Sequence, residues 1–288
     1  MRINEGGAMP GVGPIHISEI EPTLDALEKA LGIDLKNNAL GSVGKKEFSG
    51  DIDVALQIDT DKIPEFTKRL EKTPLILDIA KSSVIMTKVQ IVGYDESKTT
   101  SKPRTGYVQV DFMPGDPDWM KTYYHSPAET ESKYKGVFRN LMIASIAGVW
   151  DRQDSEETTA DGRPMESERW MFSPTEGLIK VNRTPVPKKS GEGYTKQNKN
   201  TKISKGIKNA EEIAKTLGLD GAADLNSFES LLAAIKKNYP NDLVQKIIHN
   251  FKENRTVQDI GIPDELNQTE SLGEKHLRRI RELTGKLR

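Results

Sequence analysis

The sequence predicts an α+β protein, with a mixed first half followed by a mainly helical C-terminal region. Three observations carry that expectation. Capped amphipathic helices alternate with short segments of period two up to about residue 115; from about residue 132 the apolar spacing turns helical; and 35% hydrophobic residues in 288 are enough to bury a substantial core. Domains usually run to about 100–200 residues, so the length suits one large unit or two modest ones. The division expected is 1–120 and 121–288.

Taken in order, Ser18-x-x-Glu21 reads as a capping box, opening a helix whose Ile20, Leu24, Leu27 and Leu31 share a stripe that Gly32 ends. A second helix is expected over Ile63 to Leu70, with Pro64 tolerated in its first turn. Asp51 to Leu56, Val89 to Tyr94 and Tyr107 to Met113 alternate as strands do. Further on, Phe138, Leu141, Met142, Ile146 and Val149 form a helical stripe. Trp170 to Phe172 and Leu178 to Val181 then interrupt it as a hairpin around Pro174 and Gly177. Asn209-x-x-Glu212 and Asn226-x-x-Glu229 resemble helix starts; Leu243, Val244, Ile247, Ile248 and Phe251 mark another helix, and Leu277, Ile280 and Leu287 a last one.

Composition narrows the chemistry. Without cysteine there is neither a disulfide nor a thiolate metal site. No apolar run approaches the roughly 20 residues of a membrane span and no signal-peptide core opens the chain, so a soluble cytoplasmic protein with no membrane partner is expected. The net charge of −1 excludes binding of nucleic acid by bulk charge alone, so local concentration matters. Between residues 187 and 209 seven lysines face one acid, Glu192. The stretch is poor in apolar residues and reads as a basic loop. The segment Arg278-Arg279-x-Arg281 is also basic, although Glu274 stands four residues before Arg278 and can pair with it.

The chemistry-bearing stretch runs from Leu40 to Val54. In a strand alternate side chains share a face, so Asp51 and Asp53 point one way while Ile52 and Val54 point the other. The strand at Tyr107 to Met113 repeats this, with Val108, Val110 and Phe112 apolar and Gln109 and Asp111 opposite. If the two strands are neighbours, three carboxylates converge and need a cation. Dense oxygen ligands suit Mg²⁺ or Mn²⁺, and two such ions about 3.5–4 Å apart can activate a hydroxyl and hold a leaving pyrophosphate. The Gly41-Ser42 turn offers backbone N–H groups and a hydroxyl to phosphates.

Leu40-Gly41-Ser42, Asp51-Ile52-Asp53-Val54 and Val110-Asp111-Phe112 together resemble the signature of the polymerase-β-like nucleotidyltransferase superfamily, over roughly residues 18 to 115. The Gly-Lys-Lys after the turn and Ser-Gly before Asp51 also look like nucleotidyltransferases encoded by tailed phages, which would place the protein in host cytoplasm. The resemblance implies a mixed sheet with helices on one face, forming a catalytic core within 1–120. It implies that Asp51 and Asp53 bind both metals, that Asp111 binds the catalytic one, and that Gly41 and Ser42 hold the β- and γ-phosphates of an NTP such as ATP. Lys45 and Lys46 are candidates to add charge there, although the family pattern fixes no lysine at either position.

The implied reaction is transfer of a nucleoside monophosphate to a hydroxyl with release of pyrophosphate. The lysine stretch favours a nucleic-acid 3′ end (tRNA, other RNA or DNA), with Lys188, Lys189, Lys196 and Lys199 tracking phosphates and Tyr194 stacking a base; the same stretch also reads as a solvated linker. Nucleotidylation of a protein or small molecule, or a non-catalytic binding module on the same fold, are the alternatives. A P-loop is excluded, because Ala39 stands where its first glycine is needed and no Ser or Thr follows Lys45. His16, His125, His249 and His276 lack metal-ligand spacing, and Trp150 and Trp170 are expected in the core rather than against a base. Oligomeric state is not legible.

Overall fold

The predicted stripe Ile20, Leu24, Leu27 and Leu31 is buried, and what it covers is one face of a mixed sheet. A computed structural model describes residues 9–81, 84–128 and 130–267. Its N-terminal part contains β1 (Ile15–His16), α1 (Ile17–Leu31), β2 (Phe48–Ser49), β3 (Ile52–Leu56), α2 (Ile63–Glu71), β4 (Ile76–Lys81), β5 (Ile85–Gln90) and β6 (Tyr107–Pro114). The main sheet has order β3-β6-β5-β4, with β3 and β6 parallel and the other pairs antiparallel. Ile52, Val54, Leu56, Val108, Val110 and Phe112 pack on α1 and α2. Phe66 of α2 meets Phe112 edge to face at 5.4 Å. Each buried side chain of this size contributes about 1.5–3 kcal/mol. The period-two pattern therefore leaves Asp53 and Asp111 on the face away from these helices.

The second part comprises α3 (Pro117–Tyr123), α4 (Gly136–Ala147), β7 (Gln153–Asp154), β8 (Ser167–Ser173), β9 (Gly177–Pro187), β10 (Tyr194–Lys202), α5 (Ala210–Thr216), α6 (Phe228–Asn238), α7 (Asn241–Lys252), α8 (Arg255–Ile260) and α9 (Asp264–Asn267). Phe138, Met142 and Ile146 of α4 join Leu231, Ile235, Ile247 and Phe251 in one core, which also takes Phe172 and Leu178 from an antiparallel sheet of order β10-β9-β8-β7. The molecule is thus α+β, and its helix-rich second part carries a sheet of its own. Among the described residues no helix is long and apolar enough to cross a membrane.

Local readings differ from the structure in a few places. The first helix is capped by His16, whose Nδ1 accepts from Ser18 N–H at 3.2 Å while Glu19 accepts from His16 N–H at 3.1 Å, so the box sits two residues before Ser18-x-x-Glu21. Ser227, not Asn226, caps α6. The stretch 187–209 is not a loop: β9 and β10 pair across it, with a turn closed by Lys188 N–H donating to Gly193 O at 3.0 Å. Backbone pairing, rather than side-chain burial, holds this lysine-rich strand. The expected last helix and the arginines at 278–281 lie outside the described residues.

Candidate active site

Register builds the site. In the parallel pairing of β3 with β6, Asp53 stands directly opposite Asp111, and Asp51 immediately precedes β3. The Gly41-Ser42 turn is clamped beside them, because Leu40 N–H donates to Asp53 O at 2.9 Å and Ala39 bridges Val54. Gly41 has φ +65°, a left-handed conformation that glycine adopts without steric cost. Gly41, Ser42, Lys46, Asp51 and Asp53 line a cleft of about 660 Å³.

The opposite wall comes from the second part of the chain. After β6, Gly115 N–H donates to Leu56 O at 3.0 Å, and Asp116 caps α3 through Asp118 and Trp119 N–H. Buried Trp119 ties that helix to β8 by donating from Nε1 to Ser173 O at 3.2 Å. Tyr123 and Tyr124 at its end, and residues from Ser132 through the first turns of α4, then face the carboxylates across the cleft. Arg139 is buried with no carboxylate partner among the described residues. It donates to the carbonyls of Thr122, Tyr123 and Leu225, satisfying the C-terminal end of α3 and fixing the tyrosines. Burial pulls its guanidinium down to about 10.

The carboxylates shift one another. Burial, reinforced by Asp51 and Asp111, pushes Asp53 up to about 7. Burial and the Asp51 charge raise Asp111 to about 6, against a hydrogen bond from Gln109 that lowers it. Asp51 is raised by burial and partly relieved by Lys102 and Lys135. The Asp53 charge in turn adds to burial in raising the Tyr124 phenol. Gln109 accepts from Met9 N–H at 3.1 Å and donates to both Asp111 oxygens, at 2.8 and 3.1 Å.

Three carboxylates on adjacent strands are a hard-oxygen donor set of the kind Mg²⁺ or Mn²⁺ takes, so the residue types fit a divalent cation. Their arrangement is open: among the described residues no three His, Asp or Glu side chains are gathered as a metal cage, and the Gln109 amide occupies Asp111.

The other expected residues divide. Lys46 lines the cleft, whereas Lys45 donates to Ser126 O at 2.6 Å, tying the Gly-Ser turn to the opposite wall, and burial lowers its ammonium. Lys188, Lys189, Tyr194, Lys196 and Lys199 lie on the β9–β10 hairpin and its turn, and none lines the cleft. Trp150 stacks on Tyr239 with centroids 4.8 Å apart and donates to Thr216 O, a core role. Sequence reading missed Lys102, Tyr124 and Lys135. They sit in irregular segments outside the motif's three elements, and only the fold brings them in. Lys102 is delivered by a loop that Arg104 pins through buried Glu19 and the carbonyls of Asp95 and Lys98.

No family model matches the chain, and no curated protein does. Among solved structures, two crystal structures of Leishmania infantum polymerase beta are similar. The ternary P/T complex is 13% identical, with a TM-score of 0.35, covering 71% of this chain and 73% of that one. The ternary gap complex is 15% identical, with a TM-score of 0.37, covering 71% and 67%. Likeness at such TM-scores decides nothing about the chemistry; the strand register and the cleft bear on it directly.

Proposed function

We propose that this protein is a divalent-metal-dependent nucleotidyltransferase that moves a nucleoside monophosphate from an NTP to an acceptor hydroxyl, with a nucleic-acid 3′ end as the favoured acceptor. The observation that carries the reading is the Asp53–Asp111 register in a parallel strand pair, with Asp51, Asp53 and the Gly41-Ser42 turn on one wall of a single cleft that Asp111 itself does not line. Asp51, Asp53 and Asp111 would hold Mg²⁺ or Mn²⁺, which when bound supplies Lewis-acid stabilisation of charge on the phosphoryl oxygens. The Gly41-Ser42 turn presents backbone N–H and a hydroxyl to the terminal phosphates, with Lys46 beside it and Lys102 and Lys135 close to Asp51. Tyr124 would contact the base or sugar from the second wall, while Tyr123 stacks on Phe172 behind it.

In the step itself the acceptor oxygen bonds to the α-phosphorus as the bond to the β-phosphate bridge breaks. Pyrophosphate leaves, and the hydroxyl proton passes to a carboxylate of the cluster. Incubating the protein with α-labelled NTPs, Mg²⁺ and total RNA tests this. Label on RNA that Asp51→Asn and Asp111→Asn fail to produce is the expected result. Label on protein or a small molecule would move the acceptor class, and no transfer to any acceptor would leave a binding module.

A further inference from the structure

The second sheet carries a cation cluster that the cleft does not use. The β8–β9 register sets Ser167 opposite Arg183 and Arg169 opposite Val181, and β10 adds Asn200 opposite Arg183, so Ser167, Arg169, Arg183 and Asn198 share one sheet face. Arg152 and Arg163 reach the same place from the segment between α4 and β8, and together these residues line a pocket of about 200 Å³. Arg152 pairs with Asp154 at 2.8 Å and Arg163 with Asp161 at 3.0 Å. Among the described residues no carboxylate lies within ion-pair distance of Arg169 or Arg183. The Asn198 amide, turned with its oxygen toward Arg183, accepts from Nη2 at 2.8 Å and Nε at 3.2 Å. Ser167 Oγ accepts from Arg169 Nη2 at 2.7 Å.

Four guanidiniums around one small cavity are an unfavourable arrangement by themselves. Arg169 Nε is buried without a hydrogen-bond partner. Burial together with Arg152 and Arg183 lowers the Arg169 guanidinium to about 10, with Asp154 opposing, and burial with Arg152 and Arg163 lowers Arg183. A buried donor left unpaired costs about 1–3 kcal/mol, more when charged. An oxyanion would satisfy it while neutralising the cluster, and forked guanidiniums match phosphate geometry. The pocket has the volume for one phosphate group rather than a whole nucleotide. It opens on the sheet whose β9–β10 hairpin and turn hold exposed Lys188, Lys189 and Lys196. That continuity favours a polymer of phosphates over a single small anion.

We infer that Arg152, Arg163, Arg169 and Arg183 form a pocket for one backbone phosphate of a nucleic acid lying along the β9–β10 hairpin. α4, whose first turns line the cleft, packs on the opposite face of this sheet at Phe172 and Leu178, so a strand held in the pocket would serve as the acceptor by passing round the sheet edge. In that respect the inference rests on the function proposed above, whereas the phosphate pocket itself does not.

The test is binding of a labelled single-stranded RNA to the full chain, by fluorescence anisotropy across a salt series, without NTP or metal. Arg169→Gln and Arg183→Gln should each weaken binding about tenfold and flatten the salt slope by about 0.7, the value for one phosphate contact on a single strand. Lys62→Gln, the same charge loss on an exposed site outside this sheet, should leave both unchanged. Asp51→Asn should still bind, so failed transfer chemistry is distinguishable from a failed pocket. On the wild type, phenylglyoxal labelling of Arg169 and Arg183 read by mass spectrometry should be suppressed by the RNA and not by the same phosphate concentration as inorganic phosphate or ATP. Unchanged affinity and slope in both arginine variants would overturn the pocket. Equal protection by inorganic phosphate or ATP would overturn the nucleic-acid assignment.

Discussion

Replacing Asp53 by Asn should stabilise the metal-free protein, and more so as pH rises. Asp53 is raised from 3.8 to about 7 by burial and by two neighbouring carboxylates, so the folded chain holds its proton more tightly than the unfolded chain does. The sign follows. Below pH 3.8 both states are protonated and the penalty vanishes; it grows as pH rises and is complete above about 7. At about 1.36 kcal/mol per pH decade the full penalty is about 4 kcal/mol, an upper bound because water entering the cleft reduces it. At pH 5 it is less than half of that. Asn keeps the side-chain shape and carries no charge, so urea unfolding in EDTA should show Asp53→Asn more stable than wild type at pH 8, with the gap shrinking by more than half at pH 5. Mg²⁺ should narrow the gap at pH 8 by more than half, since a ligand at about 100 times its Kd stabilises the native state by about 2.7 kcal/mol and only the intact cluster binds it well. A variant less stable than wild type at pH 8, or a gap that pH leaves unchanged, would refute the electrostatic account of the site.

Other perturbations separate neighbouring residues. Lys45→Ala should cost about 1–3 kcal/mol in unfolding free energy, because the buried Ser126 carbonyl loses its donor; Lys46→Ala should instead raise the KM for NTP with little change in denaturation midpoint. Arg104→Met leaves Glu19 buried without its cation and should cost about 3–5 kcal/mol, read by urea unfolding. Because Glu19 also holds Asp95 N–H at 2.9 Å, the loop bearing Lys102 should gain hydrogen-exchange rate in the same variant.

Strands and helices with a clean period were legible: Asp51 to Leu56, Tyr107 to Met113 and the Ile20–Leu31 stripe stand where the pattern puts them. β4 was not, because Ile76–Lys81 lies half-exposed without alternation. β5 was misplaced toward Tyr94, since Ile91 continues the apolar spacing beyond the ladder that ends at Gln90. The lysine hairpin looked like a loop because an exposed strand held by backbone bonds needs no apolar face. For the site, the three carboxylates and the Gly-Ser turn were readable as a motif. Their convergence depends on parallel pairing, which spacing alone does not dictate. The second wall was invisible, because Tyr124 and Lys135 flank an irregular segment with no period. So was the arginine pocket, whose members run from Arg152 to Arg183 and meet only through sheet register.

The central claim is metal-dependent nucleotidyl transfer by the Asp51, Asp53 and Asp111 cluster. Its most direct measurement follows one NTP labelled in parallel at the α- and at the γ-phosphorus, in Mg²⁺, with nucleic-acid acceptors. The account predicts that α-label joins the acceptor and γ-label appears in pyrophosphate, with both lost in EDTA and reduced by about 10³-fold or more in Asp111→Asn. Transfer of γ-label to the acceptor, or α-label transfer that persists in Asp111→Asn, would contradict it.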